Sequence, residues 1–84
     1  MIVEHLAGAL VAATATLVEL VESAGDAARP ALNTLEEIAH LLGRMNSDER
    51  QELRDVLARL AAAEPARADF IRSLPSALGW DGAP

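Results

Sequence analysis

Glu37 and His40 are the first pair whose spacing could support chemistry. They reproduce the Glu-x-x-His pattern of carboxylate-bridged di-iron bundles, in which further glutamates from a neighbouring helix, here Glu19 or Glu22, complete the metal site. On a helical wheel, however, both side chains fall opposite the apolar centre of their helix, whereas bundle ligands project inward. The pattern therefore indicates solvated side chains, and we expect neither a metal nor a cofactor.

The segment from Thr34 to Gly43 is similar to the first half of a DNA-reading helix-turn-helix, because Ala39 precedes the glycine of the turn by four positions. In the second half, Glu49 and Glu52 occupy positions at which the recognition helix would have to pack against the first helix. The net charge of −6 also repels phosphate, and no basic cluster offsets it. Helix-turn-helix DNA binding is therefore the weakest alternative, and we expect no nucleic-acid partner.

Catalytic groups are scarce in this chain. It has no Cys, Lys or Tyr, which excludes thiol nucleophiles, Schiff-base lysines and phosphate-binding P-loop lysines. Most of its seven hydroxyl-bearing residues fall at predicted helix ends, where capping explains them. With no glycine-rich phosphate loop, the sequence indicates a protein that is not an enzyme, and it identifies no small-molecule substrate.

The composition of the chain indicates that helices position these side chains. Of 84 residues, 18 are Ala and 13 are Leu, the strongest apolar helix formers, and only two are aromatic. This length supports one core. We therefore predict a single all-α domain over residues 1–80, a small bundle of three main helices plus a short C-terminal helix, followed by a flexible tail at 81–84.

Turn and capping residues predict where these helices begin and end. Helix 1 is expected over about Ile2 to Ser23. Helix 2 should begin between Asp26 and Asn33, with Asn33 and Glu36 as a capping box, and end near Gly43. Its expected core residues are Leu32, Leu35, Ile38, Ala39, Leu42 and Met45.

A second capping box, formed by Asn46 and Glu49, should open helix 3. Its expected core row is Leu53, Val56, Leu57 and Leu60, and Asp55 and Arg59 are spaced to pair on the exposed face. Pro65 should begin the short helix 4, which carries Phe70, Ile71 and Leu74 and which Pro75 should interrupt. Beyond Gly79, Trp80 is placed to contact the end of that helix.

Helix 1 is unusual because two adjacent apolar rows run along it. One row has the spacing of a heptad seam, and together the rows cover about half of the helix circumference, wider than an ordinary surface helix requires. The rows are Val3, Leu6, Leu10, Ala13, Leu17 and Leu20, and beside them Ala7, Val11, Thr14, Val18 and Val21. Its uncharged stretch is shorter than a membrane span, and acids rather than bases precede it, so we expect a cytoplasmic protein with no membrane partner.

The excess apolar surface of helix 1 predicts the function. One row would pack within the monomer and the other on a second copy, in an antiparallel pairing that keeps the helix 1 acids of the two copies apart. The alternatives are a fully surrounded central helix and a surface awaiting a different protein. The predicted self-association residues are Val3, Leu6, Leu10, Val11, Leu17, Val18, Leu20 and Val21.

The protein is thus expected to be a non-catalytic interaction or regulatory protein that forms a homodimer. A second hypothesis rests on the acids near the N-terminus, which no base balances before Arg29. An acidic inhibitor, antitoxin or immunity-type protein would use such a strip to cover a basic surface of its partner. The predicted contact acids are Glu4, Glu19, Glu22 and Asp26.

Overall fold

The computed structural model describes residues 2–23 and 25–79, and it confirms the all-α prediction. Of the described residues, 86% are helical, and no strand occurs among them. The predicted contact of Trp80 and the predicted tail at 81–84 lie outside the described residues. The elements are α1 (Ile2–Glu22), α2 (Ala28–Leu42), α3 (Ser47–Ala63), a 3-10 turn (Pro65–Arg67) and α4 (Ala68–Ala77).

The capping box predicted at the start of α3 is confirmed. The backbone N–H of Glu49 donates to the side-chain oxygen of Asn46 at 2.8 Å, and the Glu49 carboxylate accepts from the Asn46 backbone N–H at 2.9 Å. Two backbone donors at the helix start are thereby satisfied.

The other predicted capping box, at Asn33 and Glu36, is wrong because α2 begins five residues before Asn33. Its N-cap is Ala27, which makes no side-chain capping bond. Pro30 falls in the first turn, where its missing N–H would have had no helical partner. The helix can therefore begin ahead of the proline, and Asn33 lies within it.

The expectation that Pro75 interrupts the last helix is also wrong. α4 continues through Pro75 to Ala77, and the proline is buried. The proline lacks the N–H that would bond to the Ile71 carbonyl, but only two helical residues follow it, and its burial compensates for the lost bond. The helix ends at Ala77 with Leu78 as its C-cap, and Gly79 follows with a left-handed φ of +77° and an N–H that donates to the Ser76 carbonyl at 3.1 Å.

The core lies where α1, α3 and α4 meet. Its buried cluster consists of Val11, Leu57, Ala61, Ile71 and Leu74, and Ile71 has no exposed surface. On α2 only Ala31 is fully buried. The predicted core residue Leu32 is instead 39% exposed, because the neighbouring Ala31 is the residue of α2 that faces the interior.

α1 is the helix on which the fold is assembled. It packs on α2 along one side and on α3 along another, while α3 also packs on α4. Arg59, expected to pair with Asp55, reaches across to Glu4 of α1, while Asp55 accepts from Gln51. α1 thus has neighbours on part of its circumference only.

Candidate interaction surfaces

The inner face of α1 is made of small and β-branched side chains. Ala7, Val11 and Thr14 are 4%, 2% and 1% exposed. The Thr14 hydroxyl donates to the Leu10 carbonyl one turn earlier at 2.5 Å, so the one buried polar side chain of α1 is satisfied within its own helix. The second predicted row of helix 1 is therefore the row that faces the core.

The opposite face of α1 presents apolar side chains to solvent. Ile2 and Leu6 are 72% and 63% exposed, and Leu20 is 36% exposed. Between them lie smaller side chains, all exposed. We call this face the outer strip, and it consists of Ile2, Leu6, Ala9, Ala13, Thr16 and Leu20.

The predicted self-association residues divide between these faces. Leu6 and Leu20 lie on the outer strip. Five others are half-buried, either beside the strip or closer to the core: Val3, Leu10, Leu17, Val18 and Val21. Val11 belongs to the core of its own chain and leaves the set of candidate contact residues, because a core side chain cannot also cover a partner.

Four members of the outer strip were absent from the predicted set. Ala13 belongs to the leucine row, whereas Ile2, Ala9 and Thr16 are exposed on the same face, turned about 70° from that row. A strict 4-3-4-3-4 spacing starting at Ile2 is the signal that would have found them.

The predicted contact acids do not form one free strip. The Glu4 carboxylate lies 3.3 Å from the Arg59 guanidinium, although both side chains remain about half exposed. Glu19 and Glu22 border a shallow groove that also contains Arg67, and Asp26 is exposed in the connection to α2. The N-terminal segment has no base to balance these acids. Arg59 of α3 and Arg67 of the 3-10 turn supply positive charge near three of them.

An apolar groove of about 240 Å³ opens between α2 and α4, with α1 as its floor. Thr14 and Val18 form the floor, and Glu36 and Ser73 supply polar groups. Its walls are lined by Leu32, Leu35, Ala39, Phe70, Leu74, Ala77 and Leu78. The partial exposure of Leu32 is explained by its position on this groove.

No family model matches this chain, and no curated protein or solved structure is significantly similar to it. Its function is therefore inferred from its own surfaces. By length and composition alone, α1 could also cross a membrane, a property that core helices and signal sequences share. Only 17% of its most apolar window is buried within the chain, so most of this apolar helix is at least partly exposed.

The polar pair considered for metal binding belongs neither to the outer strip nor to the lining of the groove between α2 and α4. Glu37 and His40 are exposed on α2, and no group of three potential metal ligands occurs among residues 2–23 and 25–79. α2 packs chiefly on α1, whereas α3 packs on α4 and α1. This arrangement does not favour a helix-turn-helix, in which two consecutive helices pack against each other.

Proposed function

We propose that the protein is a non-catalytic interaction protein that forms a homodimer through the outer strip of α1 and acts in regulation by binding. The observation that carries this proposal is the exposure of Ile2, Leu6 and Leu20 along one line of a single helix. Apolar side chains that line up at helical spacing are the contacts through which helices associate.

The size of the exposed surface sets the expected affinity. Covering a Leu or Ile side chain completely contributes about 1.5–3 kcal/mol, so the exposed parts of Ile2 and Leu6 contribute about 1–2 kcal/mol each. The four side chains in a dimer then contribute about 4–8 kcal/mol, and Leu20 adds to this. Because association costs at least about 4 kcal/mol, the net gain is at most about 6 kcal/mol, and the expected dimer is weak, with a dissociation constant from tens of micromolar to millimolar.

Sedimentation equilibrium over roughly 10 μM to 3 mM protein covers that range of affinity. The wild-type chain should pass from monomer to dimer, and Leu6→Glu should stay monomeric because it places a carboxylate in the contact. Leu41→Glu is the matched control, since Leu41 is 52% exposed but lies on α2, away from the outer strip. This control variant should associate as the wild-type chain does.

Three results would count against the proposal. The first is a wild-type chain that stays monomeric throughout, and the second is equal weakening by Leu6→Glu and Leu41→Glu. The third concerns a bilayer as the competing partner of the same surface. If the monomer sediments with vesicles of neutral phospholipid and Leu6→Glu abolishes that binding, the outer strip is a membrane contact.

A further inference from the structure

The outer strip has the spacing of a heptad seam. Its residues follow one another at intervals of four, three, four, three and four, which keeps them on one line of a helix packed against another helix. All six are exposed in the monomer. A second copy of α1 offers a complementary line of the same length.

Two of the three residue pairs centred on Val11 match in size. Ile2 and Leu20 are large and stand at the two ends, while Ala9 and Ala13 are small and stand near the centre. The third pair, Leu6 and Thr16, has the same midpoint but joins a large side chain to a small one.

An antiparallel pairing with its two-fold axis at the level of Val11 therefore matches the strip with itself. It places Ile2 opposite Leu20 of the second copy and Ala9 opposite Ala13 of the second copy. The small central residues allow the two backbones to approach closely, and the large residues cover the ends. A parallel pairing would instead place each residue at the level of the same residue in the second copy. No side chain would then face one of opposite charge.

The polar residues beside the strip agree with the antiparallel arrangement. His5, Ala12 and Glu19 follow one flank of the seam at intervals of seven, and all three are exposed. In antiparallel helices the residues of this flank meet each other. His5 then faces Glu19 of the second copy, and the two-fold axis repeats this contact at the other end.

A parallel pairing would bring the two Glu19 carboxylates to the same level, where like charges repel. The opposite flank is apolar and half-buried, with Leu10 at its centre between Val3 and Leu17. Both flanks thus fit an antiparallel second copy.

Building on the proposed dimer, we propose that two α1 helices pair antiparallel in one register. The contacts that define the register are Ala9 against Ala13 of the second copy and His5 against Glu19 of the second copy. The occupant of the outer strip is then another copy of this chain, recognised by side-chain size along the seam and by charge along its flank.

Disulfide mapping tests the register directly, because the chain has no native cysteine. Ala9→Cys and Ala13→Cys, one of them carrying a tag that changes its mass, are oxidised separately and as an equal mixture. The mixture should form the crosslinked heterodimer. Each variant alone should not, since its two thiols would lie about 6 Å apart along the helix axis in addition to the spacing between helices.

A charge exchange provides a second, independent readout of the same register. His5→Glu and Glu19→Arg should each weaken the dimer about 3- to 10-fold, because the first sets two carboxylates against each other and the second sets a guanidinium against an imidazole, twice per dimer. The double variant should regain an affinity within about 3-fold of the wild type, since a carboxylate and a guanidinium then face each other. Glu22→Arg, exposed on α1 but away from the seam, is the matched control and should leave the affinity unchanged.

The possible failures are distinguishable. A monomeric wild-type chain overturns the proposed dimer itself. A dimer that Leu6→Glu disrupts, but in which Ala9→Cys or Ala13→Cys alone crosslinks as readily as the mixture, overturns only the antiparallel register. Additive losses in the double charge variant would likewise overturn the contact between His5 and Glu19.

Discussion

Replacing Val11 and Leu6 separately by alanine tests which face of α1 holds the fold together. Val11 is 2% exposed, so Val11→Ala loses two buried methyl groups, about 1.6 kcal/mol, and leaves a cavity that raises the cost to about 2–3 kcal/mol. Leu6→Ala removes more carbon atoms, but Leu6 is 63% exposed, so the cost to the monomer is below about 1 kcal/mol. The smaller deletion should therefore be the more damaging one.

The assay is urea denaturation followed by circular dichroism, at a protein concentration far below the dimer dissociation constant. For a domain of this size each kcal/mol lowers the melting temperature by about 4–8 °C, so in a parallel thermal melt Val11→Ala should unfold about 8–24 °C below the wild type. Leu74→Ala, at a side chain 2% exposed, is the positive control with an expected loss of about 2–5 kcal/mol. If dilute Leu6→Ala lost as much stability as Val11→Ala, the orientation of α1 described above would be refuted.

Three further predictions concern local features. Asn46→Ala should lower the free energy of unfolding by about 1 kcal/mol in urea titrations, because it removes the capping box of α3, and an unchanged value would contradict that role. Gly79→Ala should cost about 1 kcal/mol by the same measurement, since its φ of +77° is strained for any residue with a Cβ. A double-mutant cycle on Glu4 and Arg59 should give a coupling of about 0.2–1 kcal/mol that falls in high salt, as expected for an exposed pair, and a coupling insensitive to salt would contradict this.

The sequence predicted a helix boundary correctly where the residues at that boundary are sufficient to begin or end the helix by themselves. Asn46 and Glu49 lie three residues apart and can satisfy each other without help from the rest of the chain, so their pattern was sufficient. Gly79 is similar, because a left-handed residue is needed there whatever surrounds it. At Asn33 and Pro75 the same local signals gave wrong predictions, because packing extends a helix past a residue that would end or start it in isolation.

The orientation of α1 could not be predicted from periodicity. Two adjacent rows of similar apolarity form a wide apolar face, and the pattern does not indicate which of the two rows packs against the core. Size decides the matter in the structure. Ala7, Val11 and Thr14 are compact and let α1 lie close to its neighbours, whereas the longer Leu6 and Leu20 remain outside.

α1 thus reverses the usual distribution of side chains on an amphipathic helix, with compact residues inside and some of its largest apolar residues in solvent. A small domain has little core, and an Ile and a Leu that remain mostly in water contribute little to its stability. Association would cover them, and because the dimer forms only from folded chains, it would stabilise the fold by mass action. The melting temperature should therefore rise with protein concentration in the wild-type chain and in Leu41→Glu but stay constant in Leu6→Glu, which links the exposed strip to the stability of the whole domain.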